Sequence, residues 1–228
     1  PVKLSVVIPV YNENETLREI IERVQSVKWE KEIILIDDFS VDGSRDILKE
    51  YENQPNIKVL FHARNQGKGA ALRTGFDHVE GDVVVIQDAD LEYDPSDYGK
   101  LLEPIEDNRA DVVFGSRFLG GPHRVMFFWH YLANKALTTM SNMLTDLNLT
   151  DMETGYKVFT KKALDQMTFK CDRFGFEPEF TSKIAKLNFR VYEVPISYSG
   201  RDYAHGKKIT WKDGVAAVWF ILRFRFFS

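Results

Sequence analysis

Up to Ser116 the apolar residues fall into two kinds of stretch: short, mainly apolar runs, unbroken and β-branched at Val83–Ile86, and longer segments in which they recur every three or four positions. The runs predict strands at Lys3–Pro9, Glu32–Ile36, Ile57–Phe61, Val83–Ile86 and Asp111–Phe114. The periodic segments predict helices at Glu15–Val27, Val41–Tyr51, Lys68–Val79 and Pro95–Asn108, the second begun by Asp42 or Ser40 as cap. Strand and helix in alternation, with short connections, imply an α/β fold whose mostly parallel sheet is covered on both faces.

Beyond Ser116 this rhythm breaks. Met126–Leu144 reads as a helix with a wide apolar face rich in aromatic residues, suited to a core, a partner or a lipid. Tyr156–Thr160 reads as a short strand, Lys161–Met167 and Glu177–Leu187 as helices, and Phe189–Ser197 as a strand that Pro195 assigns to a sheet edge. A last helix is expected over residues 211–228. There Trp219, Phe220, Leu222, Phe224, Phe226 and Phe227 are interrupted only by Arg223 and Arg225. Such a helix can lie in a membrane interface, or bury itself in the body or in a dimer.

The strand at Val83–Ile86 ends abruptly in Gln87-Asp88-Ala89-Asp90-Leu91-Glu92. Ligands of open parallel sheets collect beyond the carboxyl ends of the strands, so Asp88 and Asp90 should project into a crevice. Two carboxylates one residue apart point to the same side of an extended chain and can hold a hard cation, Mg2+ or Mn2+. The alternative is an acidic loop that closes a strand. Polar groups end two other strands as well: Tyr11-Asn12-Glu13 after the first and Asp37-Asp38 after the second. A nucleotide with a metal-bridged diphosphate would use all three.

Gly67-Lys68-Gly69-Ala70-Ala71-Leu72 fits neither common phosphate motif. Leucine holds the sixth position of the dinucleotide fingerprint, and Gly69 stands where a phosphate loop needs serine or threonine. What remains is a loop carrying Arg64 and Lys68 near a helix N-terminus, either a neighbour for a diphosphate or an ordinary turn. His62, His78, His123 and His205 have no metal-ligand spacing and read as packing or surface residues.

The 228 residues suffice for one large domain. A net charge of −4 argues against nucleic acid as the main partner. Cys171 is the single cysteine, which excludes an intrachain disulfide, fits a reducing compartment and reads as a small packing residue. Val2–Pro9 is too short for a signal peptide and no apolar run reaches the roughly 18 residues of a membrane span, so the expected location is cytoplasmic.

SVVIPVYNENETL at 5–17, IDDFSVDGS at 36–44, NQGKGAALRTGF at 65–76, DAD at 88–90 and GSRF at 115–118 together resemble family 2 glycosyltransferases of the GT-A fold, over nearly the whole chain. TDMETGYKVF at 150–159 and the stretch from Arg201 to Lys208 are similar to the polyprenyl-phosphate branch, that of dolichyl-phosphate mannosyltransferase and its bacterial relatives. The resemblance implies one catalytic domain over 1–210, with a nucleotide-sugar half at 1–118 and an acceptor half at 119–210, followed by the amphipathic helix. Pro9, Tyr11 and Glu13 would line the nucleotide, Asp38 the base with Asp37 in support, and Lys68, Asp88, Ala89 and Arg117 the remaining donor contacts. Asp88, Asp90 and Glu92 would hold Mg2+ or Mn2+. Arg201 and Lys208 would close over sugar and diphosphate, and Asp151 matches the aspartate held to be catalytic. Arg117, Arg124 and His130 are the candidates for the acceptor phosphate. Phe39, Gly155 and Lys207 depart from the family pattern, Phe39 standing where glycine is usual.

The implied activity is an inverting, metal-dependent transfer of a hexose from a UDP- or GDP-sugar to a polyprenyl phosphate. It is expected at the inner face of the cell membrane through peripheral contact, with homo-oligomerisation open. A phosphate acceptor, largely ionised near neutral pH, needs no strong base, so Asp151 would orient; with a hydroxyl acceptor it would take the proton. The competing readings are that hydroxyl acceptor and a sugar-nucleotide-binding protein without turnover.

Overall fold

The computed structural model describes residues 2–120, 127–173, 175–200 and 211–227, the last segment with side chains from Ala216 onward. Seven strands form one sheet: β1 (Leu4–Val10), β2 (Lys31–Asp37), β3 (Ile57–Phe61), β4 (Val83–Ile86), β5 (Val112–Ser116), β6 (Lys157–Thr160) and β7 (Val191–Pro195). Their order is β3-β2-β1-β4-β6-β5-β7. All neighbours run parallel except β6, which lies antiparallel between β4 and β5. Pro195 closes β7 at the sheet edge, as the sequence pattern implies.

Alternation along the strands feeds two cores. Leu4, Val6, Ile8 and Val10 of β1, with Val83 and Val85 of β4, pack under α1 (Leu17–Ser26), α2 (Ser44–Lys49) and α4 (Tyr98–Glu106). Val7, Val84 and Ile86 face the opposite layer, built from α3 (Lys68–Phe76), α5 (Phe128–Thr145), α6 (Lys161–Leu164), α7 (Phe176–Lys186) and α8 (Trp211–Phe226). Full burial of each β4 side chain contributes about 1.5–3 kcal/mol, which fixes where this strand ends and its carboxylates begin.

The second helix begins at Ser44, later than the apolar period suggests, because Ser40–Gly43 knits two loops together. Ser40 Oγ accepts from the Asn12 amide (3.0 Å), Asn12 Oδ1 from the Val41 amide (2.8 Å), and Asp42 from the Asn14 amide (3.0 Å). Neither Ser40 nor Asp42 is the cap; Gly43, at φ +99°, holds that position, where L side chains are strained. The expected helix at 95–108 opens with a 3-10 turn over Pro95–Asp97, capped by Asp94.

The last helix is amphipathic in use as well as in composition. Ala217, Ile221 and Phe224 are buried, and the Phe224 carbonyl accepts from Ser182 Oγ (2.9 Å) and Lys186 Nζ (2.8 Å) of α7. Trp219, Phe226 and Phe227 stay exposed, as do Phe127, Phe128 and Trp129 at the start of α5. No described helix is long and apolar enough to cross a membrane.

The glycine-bearing loop before α3 has a packing explanation. A Cβ on Gly69 would lie 2.3 Å from the Cys171 carbonyl oxygen, with the next nearest atoms also backbone. Gly69→Ala is therefore expected to destabilise the fold by about 1–3 kcal/mol, as overpacking does. At about 2–4 °C per kcal/mol for a chain of this size, calorimetry should register a lower melting temperature; an unchanged one would refute the close approach.

Candidate active site

The acidic turn after β4 is anchored from beneath by a buried amide. Gln87 Oε1 accepts from Tyr98 Oη (2.9 Å) and Tyr156 Oη (2.7 Å), while its Nε2 donates to the carbonyls of Asp88 (3.1 Å) and Tyr93 (3.3 Å). Burial holds all three tyrosine hydroxyls, those of Tyr93, Tyr98 and Tyr156, well above their ordinary pKa, so they stay protonated. Thr16 Oγ1, at the head of α1, donates to the Ala89 carbonyl at 2.7 Å and ties the turn to the first strand's loop. Leu91 takes φ +61° and turns the chain between Asp90 and Glu92, a conformation uncommon for a side chain of this size and characteristic of functional turns.

Lys68 reaches this turn from α3. Its Nζ lies 2.8 Å from Asp88 Oδ1 and 3.4 Å from Glu177 Oε1. Burial works against the Lys68 charge, but Asp88 and Glu177 more than offset it and hold the ammonium above its ordinary pKa. The glycine loop thus contributes this side chain to the acidic turn. The Gln66 and Gly67 amides donate to Asp38 (2.8 and 2.7 Å) and the Ala70 amide to the Asp172 carbonyl (3.0 Å). Those three amides thus serve protein acceptors. Arg64 lines a separate cleft with Lys170, Arg173, Arg223 and Phe220, beside α8.

At the ends of β1 and β2, Pro9 and Glu13 are partly exposed and Tyr11 is exposed. Asp37 is fully buried; it accepts from the Phe39 and Ser40 amides (3.2 and 3.1 Å) and pairs with Arg45 Nε at 3.1 Å. Asp38, also buried, is bound by His62 Nδ1 (2.8 Å) besides the two loop amides. Phe39 adopts φ +66°, the region where the family's glycine is at ease, and the Arg45 guanidinium lies 5.6 Å from its ring.

A third constellation lies where β5 meets the segment before β6. Arg117 and Asp151 form a buried bidentate pair, Nε to Oδ2 at 2.6 Å and Nη2 to Oδ1 at 2.7 Å, and the Arg117 amide donates to the same carboxylate at 3.1 Å. Burial opposes the guanidinium charge and Asp151 restores it, leaving Arg117 ionised. Asp151 itself is fully buried, its amide and that of Thr150 held by Glu193.

Sequence reasoning passed over Arg45, Glu153, Lys157, Glu177 and Glu193. Buried Lys157 donates to the carbonyls of Met152 (3.2 Å) and Thr154, and burial pulls its pKa down to about 8. Burial, with Glu177 nearby, pushes Glu153 up to about 8. The available signal was a charge inside an otherwise apolar strand or first helical turn, as in Tyr156-Lys157-Val158-Phe159 and Phe176-Glu177-Pro178.

The turn with Asp88, Asp90 and Glu92 is formed as expected, but its carboxylates are not gathered: among the described residues no group of three His, Cys, Asp or Glu could hold a metal ion. Asp88 is engaged by Lys68, and Glu92 Oε2 accepts from Tyr198 Oη at 2.9 Å. His130 sits in the first turn of α5, partly buried, its ring 5.6 Å from that of Phe127. Arg124, Arg201 and Lys208 lie outside the described residues, as do His123, His205 and Lys207.

Residues 5–168 match the model of the family described as glycosyl transferase family 2. An undecaprenyl-phosphate mannosyltransferase of Micrococcus luteus is 30% identical over 219 residues, covering 90% of this chain and 87% of that protein. An undecaprenyl-phosphate 4-deoxy-4-formamido-L-arabinose transferase of Edwardsiella ictaluri is 30% identical over 210 residues. There the match covers 90% of this chain but only 62% of the relative's length. Among solved structures, glucosyl-3-phosphoglycerate synthase of Mycobacterium tuberculosis, crystallised with Mn2+, UDP and phosphoglyceric acid, superposes with a TM-score of 0.77 at 16% identity, over 100% of this chain and 80% of that one. That likeness extends the seven-stranded arrangement to a known GT-A fold. With the family model spanning most of the sheet and the site, the chain belongs to glycosyltransferase family 2.

Proposed function

We propose that this enzyme transfers a hexose from a UDP- or GDP-sugar to a polyprenyl phosphate, with inversion and with Mg2+ or Mn2+. The observation that carries the reading is the match, over 90% of the chain, to relatives named for transfer to undecaprenyl phosphate. The site's geometry supports it. Tyr11 and Glu13 would line the nucleotide, with Asp37 and Asp38 bracing the loops around them. The turn at 88–92 would take the diphosphate.

The donor set fits the cation. Magnesium sites commonly use one or two carboxylates and take the remaining ligands from substrate phosphates and water, so an all-protein cage is not required. Asp90, with Glu92 beyond it, would hold the ion, and Asp88 is steadied by Lys68. A bound Mg2+ or Mn2+ would supply Lewis-acid stabilisation of the departing diphosphate. Lys68, and by resemblance Arg201 and Lys208, would add positive charge there as positive charge builds on the anomeric carbon.

Asp151 is better suited to positioning than to proton abstraction, since both of its oxygens are held by Arg117. That favours a phosphate acceptor, which arrives ionised, over a hydroxyl. Arg117, and by resemblance Arg124 and His130, would face the acceptor. The exposed aromatics of α5 and α8, and the basic cleft of Arg64, Lys170, Arg173 and Arg223 beside α8, suit peripheral contact with an anionic bilayer that carries the lipid. In this reading the donor half is 1–118, the acceptor half 119–210, and α8 the interfacial helix.

The test is transfer from radiolabelled UDP- and GDP-sugars with manganese, with and without undecaprenyl phosphate in detergent. Acid-labile label entering the organic phase only with the lipid is the expected result. Donor hydrolysis with no lipid labelling would redirect the acceptor to a hydroxyl, and nucleotide binding without any turnover would favour a binding protein.

A further inference from the structure

Among the described residues, one buried side-chain oxygen has no hydrogen-bond partner within the protein: Glu153 Oε1. Buried carboxyl oxygens without a partner are costly and rare, so this one requires an explanation. Nearby cations do not provide it. Arg117 is committed to Asp151, Lys68 to Asp88 and Glu177, and Lys157 to the carbonyls of Met152 and Thr154.

Glu153 belongs to the short segment that joins the two halves of the site. Two residues before it, Asp151 binds Arg117. Two residues after it, Gly155 donates its amide to Tyr93 Oη (2.8 Å) and passes so close to the acidic turn that a Cβ there would lie 2.3 Å from Asp88 Oδ2. A sugar whose diphosphate sits at the acidic turn has to cross this segment to meet an acceptor near Arg117.

We propose that Glu153 is a sugar-recognition residue, whose unpaired oxygen bonds a hydroxyl of the hexose being transferred. This rests on the nucleotide-sugar reading given above. Other ligand classes fit less well. A fully ionised phosphate has no proton to offer an ionised carboxyl, and among the described residues no group of three metal-binding side chains includes Glu153. A sugar hydroxyl is neutral and can both donate and accept, so it satisfies this carboxyl in either protonation state.

The experiment compares wild type, Glu153→Gln and Glu153→Ala by calorimetric titration with UDP and GDP, then with UDP-glucose, GDP-mannose and their monodeoxy analogues, all with Mn2+. In Glu153→Ala the affinity for the bare diphosphate should stay within about twofold, while that for the intact donor falls about fivefold or more, the range of one hydrogen bond. One deoxy position should weaken wild type but leave Glu153→Ala unaffected. The melting temperature of both variants should be unchanged or higher, because a merely structural carboxyl would lower it. Equal losses for diphosphate and donor, or no deoxy position coupled to Glu153, would overturn the proposal, with Glu153→Gln deciding should the alanine variant fail to fold. If wild type binds the diphosphates but no nucleotide sugar, sugar recognition at Glu153 falls while the nucleotide site stands. Binding of neither removes the donor reading as well.

Discussion

Arg117→Ala should cost about 3–5 kcal/mol of folding stability, the penalty for leaving one member of a buried ion pair without its partner. It should also remove transfer activity. The guanidinium occupies both oxygens of a carboxylate with no exposed surface, so its loss strands a charge that cannot reach water. Urea unfolding followed by circular dichroism measures the first effect, and lipid labelling the second. The informative companion is Arg117→Met combined with Asp151→Leu. Replacing a whole buried pair by apolar groups is often neutral or stabilising, so the double variant should recover most of the stability yet stay inactive. A single-variant loss below about 1 kcal/mol would mean that the pair is hydrated and that its isolation from solvent has been misjudged.

Asp90→Ala should lower turnover by at least about a hundredfold, the scale of losing one preorganised electrostatic contact in a transition state, with little change in melting temperature. Asp90 sits partly exposed beyond the last core residue of β4, and the turn it belongs to is anchored by Gln87, Thr16 and Tyr93. Its oxygen receives the Glu92 amide at 3.1 Å, a contact of modest worth at a surface turn. Manganese titration of the transfer reaction is the measurement, with Glu92→Gln as the comparison because it keeps an oxygen ligand. Undiminished activity in Asp90→Ala would remove the metal assignment.

Much of the sheet was legible because a strand buried on both faces is dominated by apolar residues, as β1, β2, β4 and β5 are, β4 without interruption. The strand ends were legible for the same reason: Asp37, Asp88 and Ser116 stand where apolar character stops. Helix boundaries were not, since Ser40 and Asp42, read locally, are good caps. The Ser40 hydroxyl instead serves the Asn12 amide, and Asp42 divides its carboxylate between the Asn14 amide and that of Ser44 at the head of α2, a choice set by tertiary contact. The glycine loop misled for a similar reason. Gly67 and Gly69 answer to the backbone of residues 171–173, far along the chain, and nothing nearby signals that. Pairing of charges was the least legible feature. Arg117 and Asp151 stand out as residues, yet that each occupies the other depends on how β6 returns against β5, and the same return brings Lys157 into the interior.

The antiparallel insertion of β6 also sets an order of assembly. On an emerging chain β1 to β4 can dock in parallel with their own helices, but the outer edge of Val83–Ile86 finds its hydrogen-bonding partner only when residues 158–160 have been made. Until then four consecutive β-branched residues present an open ladder, the kind of edge that recruits strands from other molecules. The stretch closing that edge follows directly on Asp151 and Glu153, so the step that seals the sheet against aggregation is the same step that completes the site.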